Sequence, residues 1–234
     1  EKTEGGFDCA LDLVKHIRSD HGDHFSITVS GYPEGHPNAI KLVEDESKLS
    51  ATERARLIKD SKGQLMVCSD EDYAREIEYL KAKVDAGGQV IITQLFFDPA
   101  VFLTFVDTCR EAGITVPILP GIMVLGTHGG FERMTSMCKT RVPDAMREIV
   151  DQLKGDDEKF AAFGVDYMTD VCRTVWASQK VPSLHFYCLN QPTAVFKILT
   201  NMGISINALD SPEDIEAVAS VEALVKTLVP TATK

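Results

Sequence analysis

The sequence predicts an α/β fold, an incomplete (β/α)8 barrel of the TIM type, from three observations. Helical segments alternate with short strands that are apolar on both faces, which is typical of parallel strands joined by right-handed crossovers. Each strand ends in a polar residue or a glycine–proline signal, as in barrels whose sites form at the carboxyl ends of the strands. No G-x-G-x-x-G follows the first strand, which counts against a Rossmann dinucleotide-binding fold.

The predicted helices show apolar residues three and four positions apart and recognisable end signals. The first, at 8–20, carries Leu11, Val14 and Ile17 on one face. Asp98 begins another helix as an N-cap, with proline at the first helical position. The helices after the first run from Tyr73 to Val84, from Pro99 to Gly113, over 131–139, from Pro143 onward, over 157–179 and over 192–202.

Runs of β-branched and aromatic residues bounded by turn residues predict the strands. Four are clear and a short extended piece is a fifth candidate: 24–33, 89–97, 115–123 and 184–190, with the short piece at 140–142. A closed barrel of this type has eight strands, and an open set of curved strands leaves unpaired apolar edges. We therefore expect the missing strands to lie upstream of Glu1.

Two segments stand outside this pattern. Residues 40–72 are charged and interrupt the unit between a strand and its helix, and within them Ser50 and Glu53 make a capping box for a short helix. We expect this insertion to be a surface excursion. The tail at 204–234 contains a weakly apolar helix at 218–228 and is expected to be peripheral. The barrel portion is therefore predicted to span 1–203, with the insertion inside it.

The composition argues against several kinds of partner. The 234 residues carry a formal net charge of −11, whereas proteins that bind nucleic acid or anionic membranes present a basic face. An anionic small ligand stays compatible with this charge, because a few lysines or histidines suffice to bind it. No apolar run approaches the ~20 residues of a membrane span, and the first residues do not resemble a signal peptide. The six scattered cysteines form no C-x-x-C pair, so we expect buried thiols, no metal site and a cytoplasmic protein.

Five motifs in order resemble one family. They are GGFDCALDLVKHIRSDHGDHF, SGYPEGHPNA, YLKAKVDAGGQVIITQLFFD, ITVPILPGI and LHFYCLNQ. Together they resemble methylenetetrahydrofolate reductase in its eukaryotic form, over about 5–203 and apart from 40–72. The resemblance implies the C-terminal part of a (β/α)8 catalytic barrel, about strands four to eight. In that family NAD(P)H reduces FAD, and the flavin passes hydride to 5,10-methylenetetrahydrofolate to give 5-methyltetrahydrofolate in one-carbon and methionine metabolism.

The resemblance also implies roles for particular residues. The positions that match flavin contacts are Ala10, Tyr32, His36, Pro37, Asn38, Ala39, Glu76 and Lys83. The positions that match folate contacts are Gln94, Tyr187 and Gln191. A loop can offer N–H groups to a pyrophosphate, an imidazole can donate to it, and a lysine suits its charge.

Three positions depart from the family pattern. Cys9 stands where the family usually has tyrosine, and Glu76 where it has aspartate. Gln191 replaces an arginine, so it lacks the forked cation that clamps a carboxylate. We expect weaker binding of an anionic substrate group at that position.

No catalytic residue is assigned in this chain. The resemblance implies a proton-donating glutamate on the first strand and an aspartate in an Arg-Gly-Asp segment before Gly5, and neither motif is among these residues. Two hypotheses therefore stay open. The chain is part of the oxidoreductase and inactive alone, or it is a non-catalytic partial barrel that binds a ligand or another protein. The sequence does not decide whether NADH or NADPH is the preferred reductant. It is compatible with a homo-oligomer.

Overall fold

The computed structural model describes residues 5–60, 62–189 and 192–204. The strands are β1 (Thr28–Gly31), β2 (Ile40–Leu42), β3 (Ile58–Lys59), β4 (Leu65–Cys68), β5 (Val90–Leu95), β6 (Ile118–Met123) and β7 (His185–Tyr187). The helices are α1 (Ala10–His21), α2 (Ala51–Ala55), α3 (Asp70–Asp85), α4 (Pro99–Glu111), α5 (His128–Cys138), α6 (Asp144–Gln152), α7 (Asp157–Ala177) and α8 (Pro192–Asn201). A short 3-10 turn covers Glu46–Lys48.

The central element is a parallel sheet in the order β1-β5-β6-β7. Its strands are the four clear ones of the sequence, and its register pairs Val29 with Ile91 and Ile91 with Ile118. Helices separate successive strands, as the right-handed crossover rule for parallel strands requires. The α/β architecture with a parallel sheet is therefore as predicted.

The prediction of a fifth strand at 140–142 is wrong, because the structure has no strand there. Lys139 adopts a left-handed conformation with φ 49° and ends α5. The next amide, that of Thr140, donates to the carbonyl of Thr135 at 3.0 Å, so it closes the helix instead of joining a ladder. Within the described ranges the parallel sheet therefore has four strands and not five.

The two faces of this sheet differ in their environment. Val29, Ile91 and Ile118 lie on one face and are buried. Helix α3 packs on β1 and helix α7 packs on β6 at this side. On the other face Val90 and Ile92 are half-exposed, and their neighbours on β1 are exposed. Parallel sheets are normally covered on both faces, so the open face is a departure from the usual arrangement.

The insertion at 40–72 forms a small antiparallel sheet in the order β2-β4-β3. The predicted capping box at the start of α2 is present, because Ser50 accepts from the amide of Glu53 and Glu53 accepts from that of Ser50. Ile40, Ile58 and Cys68 are at most 2% exposed and join the main core. The insertion is therefore more than a surface excursion.

The remaining expectations on organisation concern the tail and the cysteines. The tail from 205 onward, with its predicted helix at 218–228, lies outside the described residues. All six cysteines are described and free; four are buried, Cys188 is half-buried and Cys9 is exposed. Burial raises the pKa of the Cys109 and Cys172 thiols to about 12. None of the helices in the described ranges combines the length and apolarity needed to cross a membrane.

Candidate functional site

A cleft of about 480 Å³ opens beside the carboxyl end of β1. It is lined by the start of α1, the end of β1 and one face of α3, and its volume is in the range of small-molecule sites. The cleft brings together six of the eight predicted flavin residues: Ala10, Tyr32, His36, Asn38, Glu76 and Lys83. The other two, Pro37 and Ala39, belong to the same loop but do not line the cleft.

Helix α3 supplies the charged side of the cleft. The helix starts at Ser69, whose hydroxyl accepts from the amide of Asp72. Residues three and four positions apart on a helix share a face, which brings Glu76, Tyr79 and Lys83 to the cleft. The hydroxyl of Tyr79 in turn accepts from the amide of Leu11 at 3.4 Å, and this contact joins α3 to the first turn of α1.

Lys83 is a buried cation at the floor of this site. It is 4% exposed, its Nζ donates to the carbonyl of Ser30 at 2.7 Å, and it lies 5.1 Å from the ring centroid of Tyr79. Burial lowers the pKa of its ammonium, and the nearby Glu76 carboxylate opposes this effect. A buried ammonium favours the binding of an anion.

The loop at 32–39 forms the opposite wall and consists of two consecutive turns. The amide of Gly35 donates to the carbonyl of Tyr32 at 3.0 Å. The amide of Ala39 donates to the backbone carbonyl of His36 at 2.8 Å. The amide of Asn38 donates to Nδ1 of His36 at 3.2 Å, so the neutral ring carries its proton on Nε2. The rings of Tyr32 and His36 meet edge to face with centroids 4.7 Å apart. His36 therefore offers a hydrogen-bond donor at the cleft.

Glycine is required at one position of this loop. Gly35 has φ +97°, a conformation that residues with a side chain rarely adopt. A Cβ at Gly35 would lie 2.5 Å from the Cβ of Cys68. The loop therefore packs directly against β4 of the insertion.

Glu34, in the same loop, is buried and was given no role by the sequence. It is 5% exposed, and its Oε1 has no hydrogen-bond partner among the described residues. Burial raises the pKa of its carboxyl to about 8, while the amide and guanidinium of Arg141 oppose the rise and Asp98 adds to it. Arg141 already pairs with Asp98, at 3.3 Å between Nε and Oδ2. Glu34 is therefore protonated around neutral pH.

The predicted folate residues lie at the carboxyl ends of β5 and β7. The hydroxyl of Tyr187 donates to the carbonyl of Thr93 at 2.9 Å. Burial raises the pKa of Tyr187, and the charge of an ionised Tyr32 would raise it further. Gln94 accepts from the amide of Leu95 at 2.9 Å through its Oε1 and makes no other hydrogen bond within the described ranges. Gln191 lies outside the described residues.

The alternation of β5 places Gln94 on the open face of the sheet. The burial of this strand alternates from Val90 to Leu95, so Gln94 shares its face with Val90 and Ile92. Its NH2 group is therefore available to a ligand on that side. The candidate flavin and folate residues thus lie toward the same edge of the sheet, where the carboxyl ends of its parallel strands are found.

One other group of side chains has the composition of a metal site. His128, Glu132 and Asp151 bring ligand atoms within 4.8 Å of one another. The guanidinium of Arg147, however, contacts Glu132 and lies 3.9 Å from Asp151. Because a cationic side chain already neutralises both carboxylates, we interpret this group as an ion-pair network.

Comparison with known proteins places this arrangement in a family. A family model described as methylenetetrahydrofolate reductase matches residues 1–203. The chain belongs to the methylenetetrahydrofolate reductase family. Methylenetetrahydrofolate reductase (NADH) 1 of Arabidopsis thaliana is 41% identical over 203 residues, which is 87% of this chain and 30% of that protein.

Other members of the methylenetetrahydrofolate reductase family show the same partial coverage. Methylenetetrahydrofolate reductase 2 of Saccharomyces cerevisiae is 35% identical over 202 residues, 86% of this chain and 29% of its own. The 5,10-methylenetetrahydrofolate reductase of Pectobacterium carotovorum is 31% identical over 195 residues, 83% of this chain and 54% of its own. The chain thus spans about a third of the length of its plant and yeast relatives.

A solved structure also resembles this chain. It is an uncharacterized protein from Clostridium thermocellum that binds two copies of 5-methyl-5,6,7,8-tetrahydrofolic acid. The TM-score is 0.50 with 13% sequence identity, over 82% of this chain and 57% of that one. At this identity the likeness supports the fold alone.

Proposed function

We propose that this chain forms the flavin-binding and folate-binding part of a reductase that converts 5,10-methylenetetrahydrofolate to 5-methyltetrahydrofolate with NAD(P)H and FAD. The observation that carries the proposal is the cleft beside β1. Six residues that match flavin contacts line it together, and Lys83 is buried there with its Nζ bound to the carbonyl of Ser30. Family membership supports the same reaction.

The residues of the cleft fit FAD by their chemistry. Lys83 supplies a cation and His36 an Nε2–H donor, which suits a diphosphate. Glu76 offers a carboxylate that accepts from the hydroxyls of a ribityl or ribose group. Tyr32 contributes an aromatic wall, and its ring contacts that of His36. The flavin would supply the hydride chemistry, and the protein groups bind and orient it.

The folate site is proposed on the open face, next to the cleft. The NH2 group of Gln94 makes no hydrogen bond to the described residues, and an amide pairs well with the polar edge of a pterin. Tyr187 holds the ends of β5 and β7 together through the carbonyl of Thr93. The folate bound by the Clostridium thermocellum protein, which shares the fold, supports this class of ligand. Gln191 would contribute a neutral amide near an anionic part of the substrate.

We propose that the proton donor comes from outside these residues. The half-exposed Val90 and Ile92 support a barrel in which further strands pair with the edges of the sheet and enclose its open face, since parallel sheets are normally covered on both sides. Glu34 is not assigned as the donor, because it is buried against Arg141 and does not line the cleft. This chain would therefore bind flavin and folate but depend on those strands for catalysis.

The test uses the protein that carries this chain. We expect a flavin absorption spectrum that NADH or NADPH bleaches in the absence of oxygen and that 5,10-methylenetetrahydrofolate restores. Lys83→Met is expected to raise the Kd for FAD about 10-fold or more, since one charge-assisted contact to the diphosphate is lost. The matched control is Lys81→Met on the same helix, where the lysine pairs with Asp85 at the surface.

Two results would contradict the proposal. If the protein contains no flavin and takes up none from added FAD, the chain is better explained as a ligand-binding or interaction subunit. If Lys83→Met and Lys81→Met bind FAD equally, the cleft is not the flavin site. A folded Lys83→Met variant is expected, because methionine matches the lysine stem in length and needs no ion pair.

A further inference from the structure

The insertion at 40–72 directly contacts the loop that carries His36. The loop ends where β2 begins, and Ile40 pairs with Cys68 in the insertion sheet. Cys68 also occupies the space where any side chain at position 35 would lie. The insertion therefore packs directly against one side of the loop.

Tyr73 connects the same loop to the insertion on its other side. It is 6% exposed, and its hydroxyl donates to the carbonyl of Pro33 at 3.1 Å. The face of its ring is covered by the guanidinium of Arg56, 4.0 Å from the ring centroid. Arg56 belongs to the insertion, at the end of α2.

Arg56 is itself held firmly. It is 6% exposed, and its Nη2 lies 2.7 Å from Oδ1 of Asp70 and 3.4 Å from the carbonyl of Cys68. Asp70 also accepts from the hydroxyls of Ser50 and Thr52, at 2.6 Å and 2.8 Å, which anchors α2 to the start of α3. A continuous chain of contacts thus runs from the capped helix α2 through Arg56 and Tyr73 to the loop.

The far end of the loop is anchored from the main fold. Nζ of Lys139 donates to the carbonyls of Pro37 and Ile40 at 2.6 Å and 2.8 Å. Tyr73 thus binds a backbone carbonyl before His36, and Lys139 binds two after it. Both donors lie outside the loop. The ring of Tyr73 is in turn covered by Arg56 of the insertion.

We propose that residues 40–72 hold the 32–39 loop in its ligand-binding shape, with Arg56 as the positioning residue that acts through Tyr73. The inference rests on the proposed flavin site, which the loop lines. A loop that reaches its binding shape only part of the time binds its ligand more weakly by that fraction. The insertion therefore sets the affinity for FAD without touching it.

The primary test is Tyr73→Phe in the complete protein. The substitution keeps the ring under Arg56 and removes only the hydrogen bond to Pro33. We expect the Kd for FAD to rise about 5-fold to 10-fold, the effect of one buried hydrogen bond. Amide hydrogen exchange of 32–39 in the FAD-free protein should become faster, while exchange in α4 stays unchanged.

Arg56→Met tests the insertion itself. We expect an equal or larger rise in Kd for FAD, about 10-fold, with the same faster exchange confined to the loop and the insertion. Arg56→Lys keeps a cation over the ring and should recover part of the affinity. The matched control is Arg54→Met, since Arg54 lies two positions away, is exposed and pairs with Glu46 at 3.6 Å. We expect this control to resemble the unmodified protein.

The outcomes separate the inference from the function on which it rests. Unchanged loop exchange and unchanged FAD affinity in both Tyr73→Phe and Arg56→Met would overturn the positioning role. Faster exchange throughout the protein with unchanged affinity would also overturn it, because Arg56 would then serve only stability. If Arg56→Met does not fold, Tyr73→Phe decides. A protein that binds no FAD at all would refute the flavin site, and loop exchange alone would then decide whether the insertion holds the loop.

Discussion

Replacing the buried Glu34 by glutamine should make the protein more stable at alkaline pH. The carboxyl of Glu34 faces Arg141, which already pairs with Asp98, and its Oε1 has no hydrogen-bond partner within the described ranges. If Glu34 were ionised, its carboxylate and that of Asp98 would share the guanidinium of Arg141 in a site with little solvent. Burial therefore raises the pKa of Glu34 from 4.5 to about 8.

The sign and size of the effect follow from this pKa. Because the folded-state pKa is above the unfolded value, the unfolded chain releases this proton between about pH 4.5 and pH 8 and the folded protein keeps it. The free energy of unfolding therefore falls as pH rises through this window. A difference of ~3.5 pKa units corresponds to ~5 kcal/mol above pH 8. Glutamine cannot ionise but leaves an amide incompletely bonded, at a cost of ~1–3 kcal/mol, so a net gain of ~2–4 kcal/mol is expected.

The assay is urea unfolding followed by circular dichroism at pH 5.5, 7 and 8.5. We expect Glu34→Gln to be no more stable than the unmodified protein at pH 5.5 and clearly more stable at pH 8.5. Glu148→Gln is the control, because Glu148 is exposed on α6 and its variant should show no such pH-dependent difference. If the difference between Glu34→Gln and the unmodified protein does not grow with pH, Glu34 is ionised in the folded state and the burial argument fails.

Two further predictions concern the loop and the folate side. Gly35→Ala should destabilise the protein by ~1–3 kcal/mol and reduce its FAD content, because alanine at φ +97° is strained and its Cβ would meet Cys68. Thermal unfolding and flavin absorbance measure both effects, and a variant with unchanged flavin content would show that the loop tolerates another shape. Gln94→Ala should leave the reduction of flavin by NAD(P)H intact and slow the folate half-reaction about 10-fold or more, since only substrate loses a hydrogen bond. Stopped-flow measurement of the two half-reactions separates these rates, and equal loss in both would indicate a structural amide.

Local sequence patterns predicted the elements well where short-range physics decides them. The stripe at Tyr73, Ile77 and Leu80 is buried along α3, and Asp98 caps α4 by accepting from the amide of Ala100. The capping box of α2 is present for the same reason, since its two hydrogen bonds join residues three positions apart. The segment 140–142 was mispredicted because the left-handed turn at Lys139 ends α5 and turns the following amide back to the helix.

The site residues that the sequence missed depend on contacts far apart in the chain. Lys139 reaches the carbonyl of Pro37 across 102 positions, and nothing in its own surroundings in the sequence marks it as an anchor. Tyr73 was assigned to an apolar helical face, although its hydroxyl reaches across 40 positions to Pro33. Arg56 lies in a charged segment, where a solvated side chain is the usual expectation.

The sequence by itself determined the α/β class, the four parallel strands, the family and the residues that were expected to contact flavin and folate. Periodicity, end caps and ordered motifs are local properties, so they can be recognised without a structure. Only the tertiary structure decided which of those residues share the cleft, that one face of the sheet is open, and that the insertion packs against the loop. It also decided the state of Glu34, because the pKa of a carboxyl depends on the water and charges that the folded chain places around it.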